Sequence, residues 1–178
     1  MQLDRGKTCC FSGHRPDKLP GGYAGGVAAA PLRTALVEAI GQAVEDGYDT
    51  FLCGMALGAD TWAAEEVLRR RDAGAPLRLI GALPCPEQDS RWPAASRRRY
   101  RDLIARLDEV YTACETYTPY CMNLRNRWMA DHASRLIAVF NGSSGGTKNT
   151  VEYAEGLGLD LVILAPQDYR LSRGVFTL

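Results

Sequence analysis

One stretch constrains this chain more than any other. A short apolar run, Leu136 to Phe140, breaks into Asn141-Gly142-Ser143-Ser144-Gly145-Gly146-Thr147-Lys148, and a helical pattern follows to about Leu157. Strand, glycine-rich loop and helix start, in that order, leave backbone N–H groups without helical partners at a positively polarised end, an arrangement suited to anions. Gly145 and Gly146 would let the backbone approach a phosphate closely, with Thr147 and Lys148 adding donors. The same residues could instead make a tight turn and nothing more.

The remaining pattern repeats that unit. Lys7 to Phe11 reads as a first strand ending in Ser12-Gly13-His14-Arg15-Pro16. Residues 17–31 are glycine- and proline-rich and carry no predictable structure. Leu32, Leu36, Ile40 and Val44 then recur at helical spacing from Pro31 to Gly47. Thr50 to Cys53 is a second strand, delivering Gly54-Met55-Ala56-Leu57-Gly58-Ala59-Asp60, in which Asp60 suits the N-cap of the next helix. Leu77 to Leu83 is a third strand and residues 91–107 a helix. Glu109 to Thr112 is a short strand, and Asn123 to Ala133 a helix with Leu124, Trp128 and Met129 inward. Asp160 to Ala165 is the last strand; the tail beyond Gln167 carries no signal.

Strands alternating with helices imply a mostly parallel sheet covered on both faces, hence a three-layer α/β Rossmann-like fold in a single domain over 1–178, with a core of about 7–165. In such sheets ligands bind outside the carboxyl ends of the strands. The loops at 12–16, 54–60 and 141–149 all follow strands, so they should gather on one edge.

Composition excludes more than it identifies. Lys+Arg and Asp+Glu both number 21, so no global basic field favours nucleic acid. Cys9, Cys10, Cys53, Cys85, Cys114 and Cys121 form no C-x-x-C pair, and with two histidines no metal cluster is expected. Reduced, mostly buried thiols in a cytoplasmic protein fit this usage. No run reaches membrane-spanning length.

Among the polar candidates, Arg15 offers a guanidinium fork that matches phosphate, or pairs with a nearby carboxylate. His14 is an acid–base group or hydrogen-bonds a loop carbonyl. Ser12 has no visible triad partner. Gly54 and Gly58 admit a ligand or shape the turn, and Asp60 caps a helix, braces a loop or meets a ribose. Glu152 lies three residues after Asn149, spacing that resembles a capping box, yet a carboxylate there could also serve glycosidic cleavage. Trp92 packs a helix or stacks on a base as a lid, while Tyr100 packs on the core. The run Arg97-Arg98-Arg99-Tyr100-Arg101 reads as a solvated helix face, and its basic residues around an aromatic keep a nucleic-acid partner open. The amide of Asn126 reaches the glycine loop or faces solvent.

Three pieces resemble one superfamily. Gly54 to Asp60, with Ala63 and Ala64, resembles the G-x-A-x-G-x-D stretch of the DNA-processing protein DprA. Gly145-Gly146 with Glu152 resembles the P-G-G-x-G-T-x-x-E motif of the "lonely guy" phosphoribohydrolases, although Ser144, Lys148 and Asn149 replace its proline, third glycine and threonine. Ser12 to Pro16, Glu87-Gln88 with Trp92 and Tyr100, and Asn126 resemble the DUF1273, or YpsA-like, branch of the same SMF/DprA–LOG (SLOG) superfamily. The resemblance implies a nucleotide-type ligand (adenine nucleotide, ADP-ribose or NAD-like) in a sensing or regulatory role, with no required cofactor and with nucleotide, phosphate or sulfate at the glycine loops. It leaves open a nucleotide N-glycosidase using Glu152 and Arg15, and a DprA-like single-stranded DNA binder. Relatives assemble, so a homo-oligomer is also an expectation.

Overall fold

The computed structural model describes residues 2–22 and 26–166 and the backbone of 171–173. Six strands run parallel: β1 (Thr8–Gly13), β2 (Thr50–Cys53), β3 (Arg78–Leu83), β4 (Glu109–Thr112), β5 (Arg135–Val139) and β6 (Asp160–Leu164). A seventh, β7 (Leu171–Arg173), adds antiparallel to β6, giving the order β4-β3-β2-β1-β5-β6-β7. The helices are α1 (Gly26–Glu45), α2 (Ala59–Asp72), α3 (Ala94–Ile104), α4 (Cys121–Asp131) and α5 (Gly146–Gly156). This is the three-layer Rossmann-like α/β arrangement that the strand–helix alternation implies.

The layering follows from side-chain alternation along strands that are apolar on both faces. Cys9, Phe11, Phe51, Cys53, Leu79, Ile137 and Val139 point into one core, packed by α1, α2 and α3. Their neighbours Cys10, Leu52, Ile80, Ala82, Leu136 and Ala138 point into the other, covered by α4 and α5. Phe11 and Phe51 stack at 5.7 Å across β1 and β2. Each fully buried phenylalanine, leucine or isoleucine contributes about 1.5–3 kcal/mol. From β1 the chain steps outward to β4, then returns to lay β5 against the other side of β1. Reversing direction under a right-handed crossover rule moves the later helices to the opposite face. The reversal puts the topological switch point between β1 and β5, where their carboxyl-end loops diverge.

Three local expectations change. β1 continues through Ser12 and Gly13, which pair with Ala138 and Val139, because β5 supplies a partner that no local signal reveals. α1 begins at Gly26, with Pro31 inside it. The alanines 28–30 carry the helix back past the proline, which forfeits one ladder bond near the solvent-exposed first turns. Leu124 is 50% exposed, and the buried face of α4 is Cys121, Arg125, Met129 and Ala130. Trp128 is half-buried, stacked on Tyr111 at 3.9 Å. Within the tail beyond Gln167, residues 167–170 and 174–178 lie outside the described residues. The cysteines are free thiols, all buried except the half-buried Cys114.

Candidate functional site

The three loops do meet at the carboxyl edge. Gly58, at φ 95°, caps α2, and a Cβ there would lie 2.5 Å from the His14 carbonyl oxygen. That oxygen accepts from Ala59 N at 3.2 Å, so the glycine's role is to let the second loop close against the first. A Cβ on Gly13 would meet the Ala59 methyl at 2.4 Å, which draws the start of α2 onto the end of β1.

His14 ties the first loop to the third. Its Nε2 lies 2.7 Å from Asn141 Oδ1, and Ser143 N donates to the same Oδ1 at 3.0 Å. The Ser143 bond identifies that atom as the oxygen, so the short contact requires the proton on His14 Nε2. The 3.1 Å approach of Asn141 N to Nε2 is then a contact rather than a second bond. His14 is buried, and burial pushes its imidazole below the ordinary range, a shift the Asn141 bond opposes. Lys18 completes the clasp: its Nζ donates to Ser143 Oγ and to the Ser144 carbonyl, both at 3.1 Å.

Between these loops, beside the β1/β5 switch point, lies a crevice of about 280 Å³. Its lining includes Ser12, Gly13 and His14 from the first loop, Arg15, Asp17 and Lys18 beyond it, and Gly146 and Thr147 at the start of α5. Gly145, at φ 138°, is the N-cap of α5 and provides no side-chain cap, while a Cβ on Gly146 would meet nothing within 4 Å. The first amides of α5 are therefore bare and approachable. Arg15 is exposed, and among the described residues no carboxylate forms an ion pair with it.

Sequence reasoning missed Lys18 and, of more consequence, Arg125. It sits on α4, is 5% exposed and lines the crevice beside Asn126 and Asp60. Its Nη1 donates to the Ala82 carbonyl at 3.2 Å and its Nη2 reaches Met122 Sδ at 3.7 Å, while its buried Nε has no partner among the described residues. Arg135, buried at the opposite edge of the sheet, shows how this fold satisfies such a group: Asp46 and Asp160 bind it at 2.7 and 2.6 Å. Among the described residues Arg125 has no such pair of carboxylates. Burial lowers its pKa and the neighbouring charge of Asp60 raises it. A signal existed: Arg125 falls midway between Cys121 and Met129 at i, i+4 spacing, on the helix face that must be core.

Several candidates take other places. Asp60 does not cap α2; it lies in the first turn, 6% exposed, and its Oδ2 accepts from Ala56 N at 3.2 Å to brace the loop. Burial pushes its carboxyl up, and Arg125 draws it back down. Gly54 is absent from the crevice lining because its missing side chain makes room for Arg125. Lys148 turns to Glu152 at 3.6 Å and does not line the crevice. The capping-box spacing is not realised, since Asn149 lies within α5 and its N–H bonds to the Gly145 carbonyl. Glu152 lines a separate groove of about 620 Å³ that shares Met122, Asn126 and Gly146 with the crevice. Trp92 lines a third, of about 820 Å³, joined to the crevice at Arg15 and Met122. Tyr100 is buried, edge-on to Trp92 at 5.1 Å.

Residues 9–156 match the YpsA model of the YspA SLOG family. The chain belongs to the YspA SLOG family. Similar curated proteins include the SPbeta prophage-derived YoqJ of Bacillus subtilis, 31% identical over 59% of this chain and 68% of that one. A UPF0398 protein of Halalkalibacterium halodurans is 28% identical over 65% of this chain, which spans 62% of its length. One from Bacillus pumilus is 25% identical over 84% and 82%. Among solved structures, Streptococcus pneumoniae DprA superposes with a TM-score of 0.61 at 19% identity, over 89% of this chain and 50% of that protein. Helicobacter pylori DprA, whose structure describes single-stranded DNA binding, gives 0.59 at 16% identity over 88% and 64%. At these identities the likeness shows a shared fold. Among the described residues no helix is long and apolar enough to cross a membrane, and no cluster suits a metal.

Proposed function

We propose that the crevice binds the phosphate end of a nucleotide or nucleotide derivative, such as an adenine nucleotide, ADP-ribose or an NAD-like molecule, in a sensing or regulatory role. The observation that carries this reading is Arg125. A guanidinium 5% exposed, with a buried donor that has no partner among the described residues, lines the same crevice as the uncapped start of α5. An unsatisfied buried donor costs about 1–3 kcal/mol, and a phosphate oxygen would remove that cost with a charge-assisted bond. The lining is net positive, with Arg15, Lys18 and Arg125 against Asp17 and Asp60. A volume of about 280 Å³ suits phosphate or diphosphate, and the joined grooves offer room for the rest.

A nucleic-acid partner, suggested by the shared fold with DprA, draws less support. Within the arginine run of α3, Arg99 is bound by Glu65 at 2.6 Å and Arg101 lies 3.5 Å from Asp89. Titration calorimetry with pyrophosphate, AMP, ADP-ribose, NAD and a single-stranded oligonucleotide tests the proposal, with Arg125→Met as the control. Binding of a phosphate-bearing small molecule, weakened at least tenfold in the variant, is the expected result. Binding of none of them, or of the oligonucleotide alone, overturns it.

A further inference from the structure

Gln88 lines the 820 Å³ groove beside the crevice, and one of its amide atoms has no partner among the described residues. Gln88 Nε2 donates toward three acceptors, the carbonyls of Gly54 and Met55 at 3.4 and 3.2 Å and Tyr100 Oη at 3.2 Å. Those carbonyls accept only, so the nitrogen must face them and the amide orientation is decided. The opposite lobe, Oε1, is buried and has no partner among the described residues. Gln88, Tyr100 and Trp92 form one braced unit, since Tyr100 touches both Gln88 and the indole. Trp92 and the 70%-exposed Tyr117 supply aromatic surface to the same groove.

Resting on the reading of the crevice as a phosphate site, we infer that this groove is the base subsite and selects a nucleobase with an exocyclic amino group. A buried acceptor discriminates against a group that brings a second acceptor to it, because both are then left unpaired. An amino group donates where the oxo group of the corresponding base cannot. The groove is connected to the crevice through Arg15 and Met122, so one ligand can occupy both. The alternative groove, near Glu152, fits a base less well. Its Tyr153 hydroxyl is bound to Asp131 at 2.8 Å, and Arg127 covers the ring at 4.9 Å. None of the residues lining that groove has a buried unpartnered polar atom among the described residues.

Titration calorimetry of the wild-type protein with the pairs AMP and IMP, and CMP and UMP, tests this directly, with pyrophosphate as a probe of the crevice alone. The amino-bearing member of each pair should bind about tenfold tighter than its oxo counterpart. Trp92→Leu should weaken AMP about tenfold while leaving pyrophosphate unchanged, because stacking is lost and the crevice is not touched. Equal affinities within the pairs, or AMP binding that survives Trp92→Leu intact, overturn the base subsite while pyrophosphate binding keeps the crevice reading standing. Failure of pyrophosphate and every nucleotide to bind overturns both.

Discussion

Gly54 and Arg125 compete for one volume: a Cβ on the glycine would lie 1.6 Å from Nη1 of the arginine. A glycine following β2 in a Rossmann-like sheet invites the reading that a ligand's backbone contact needs the space. Here the space belongs to the protein's own guanidinium, which the glycine admits to the crevice. The glycine thus serves the site at one remove, by seating a side chain from α4, more than sixty residues along the chain.

Gly54→Ala follows as the sharpest test of that arrangement. The backbone there needs no positive φ, so the cost is steric. Overpacking a buried site in this way typically costs about 1–3 kcal/mol. Chemical denaturation should show a loss of that size, and phosphate affinity should fall with it as the guanidinium shifts. Unchanged stability together with unchanged affinity would show that Arg125 is not seated against Gly54.

Lys18→Met separates loop order from fold stability. Lys18 is exposed and, among the described residues, its two bonds reach the glycine loop alone, so the melting transition should move by less than about 1 kcal/mol equivalent. Hydrogen exchange at residues 143–146 should nevertheless speed up, with ligand affinity reduced several-fold. Unaltered exchange in that segment would mean the lysine is not what holds it.

His14 should make stability depend on acidity. Its native pKa lies below the unfolded value of about 6.5 because burial disfavours the cation. On acidification the unfolded chain therefore takes up this proton first. The contribution is fully present above pH about 6.5 and is lost as pH falls toward the native pKa. Melting curves of the wild type and His14→Gln between pH 8 and 5 should converge toward the acid end. Parallel curves across that range would rule out the buried imidazole as the source.

Glu152 tests whether the proposed binding site also cleaves its ligand. Its side chain is 50% exposed and pairs with Lys148 one turn back, a surface contact worth about 0.3–0.5 kcal/mol. Glu152→Gln should leave stability and nucleotide affinity nearly unchanged, and wild-type protein incubated with nucleoside monophosphates and NAD should release no free base by chromatography. Base release that disappears in Glu152→Gln would replace the binding proposal with an N-glycosidase.

Much of this architecture is written locally. The apolar runs at 50–53, 77–83 and 135–140 and the helical spacing of Leu32, Leu36, Ile40 and Val44 specify strands and helices without reference to anything distant, because a two-residue or 3.6-residue period is a property of the segment itself. Glycine-rich loops after strands likewise predict a shared edge, since parallel strands must all end on the same side. Chain order alone therefore determined the layered sheet and the edge on which a ligand would sit. What it could not determine is which side chains occupy that edge. Arg125 enters from α4, Asp60 braces a loop instead of capping a helix, and Gly54 and Gly58 make room for Arg125 and the His14 carbonyl. Lys148 turns away to Glu152. Each of these depends on contacts between segments tens of residues apart, where available volume and unpaired polar atoms are settled only once the sheet has closed.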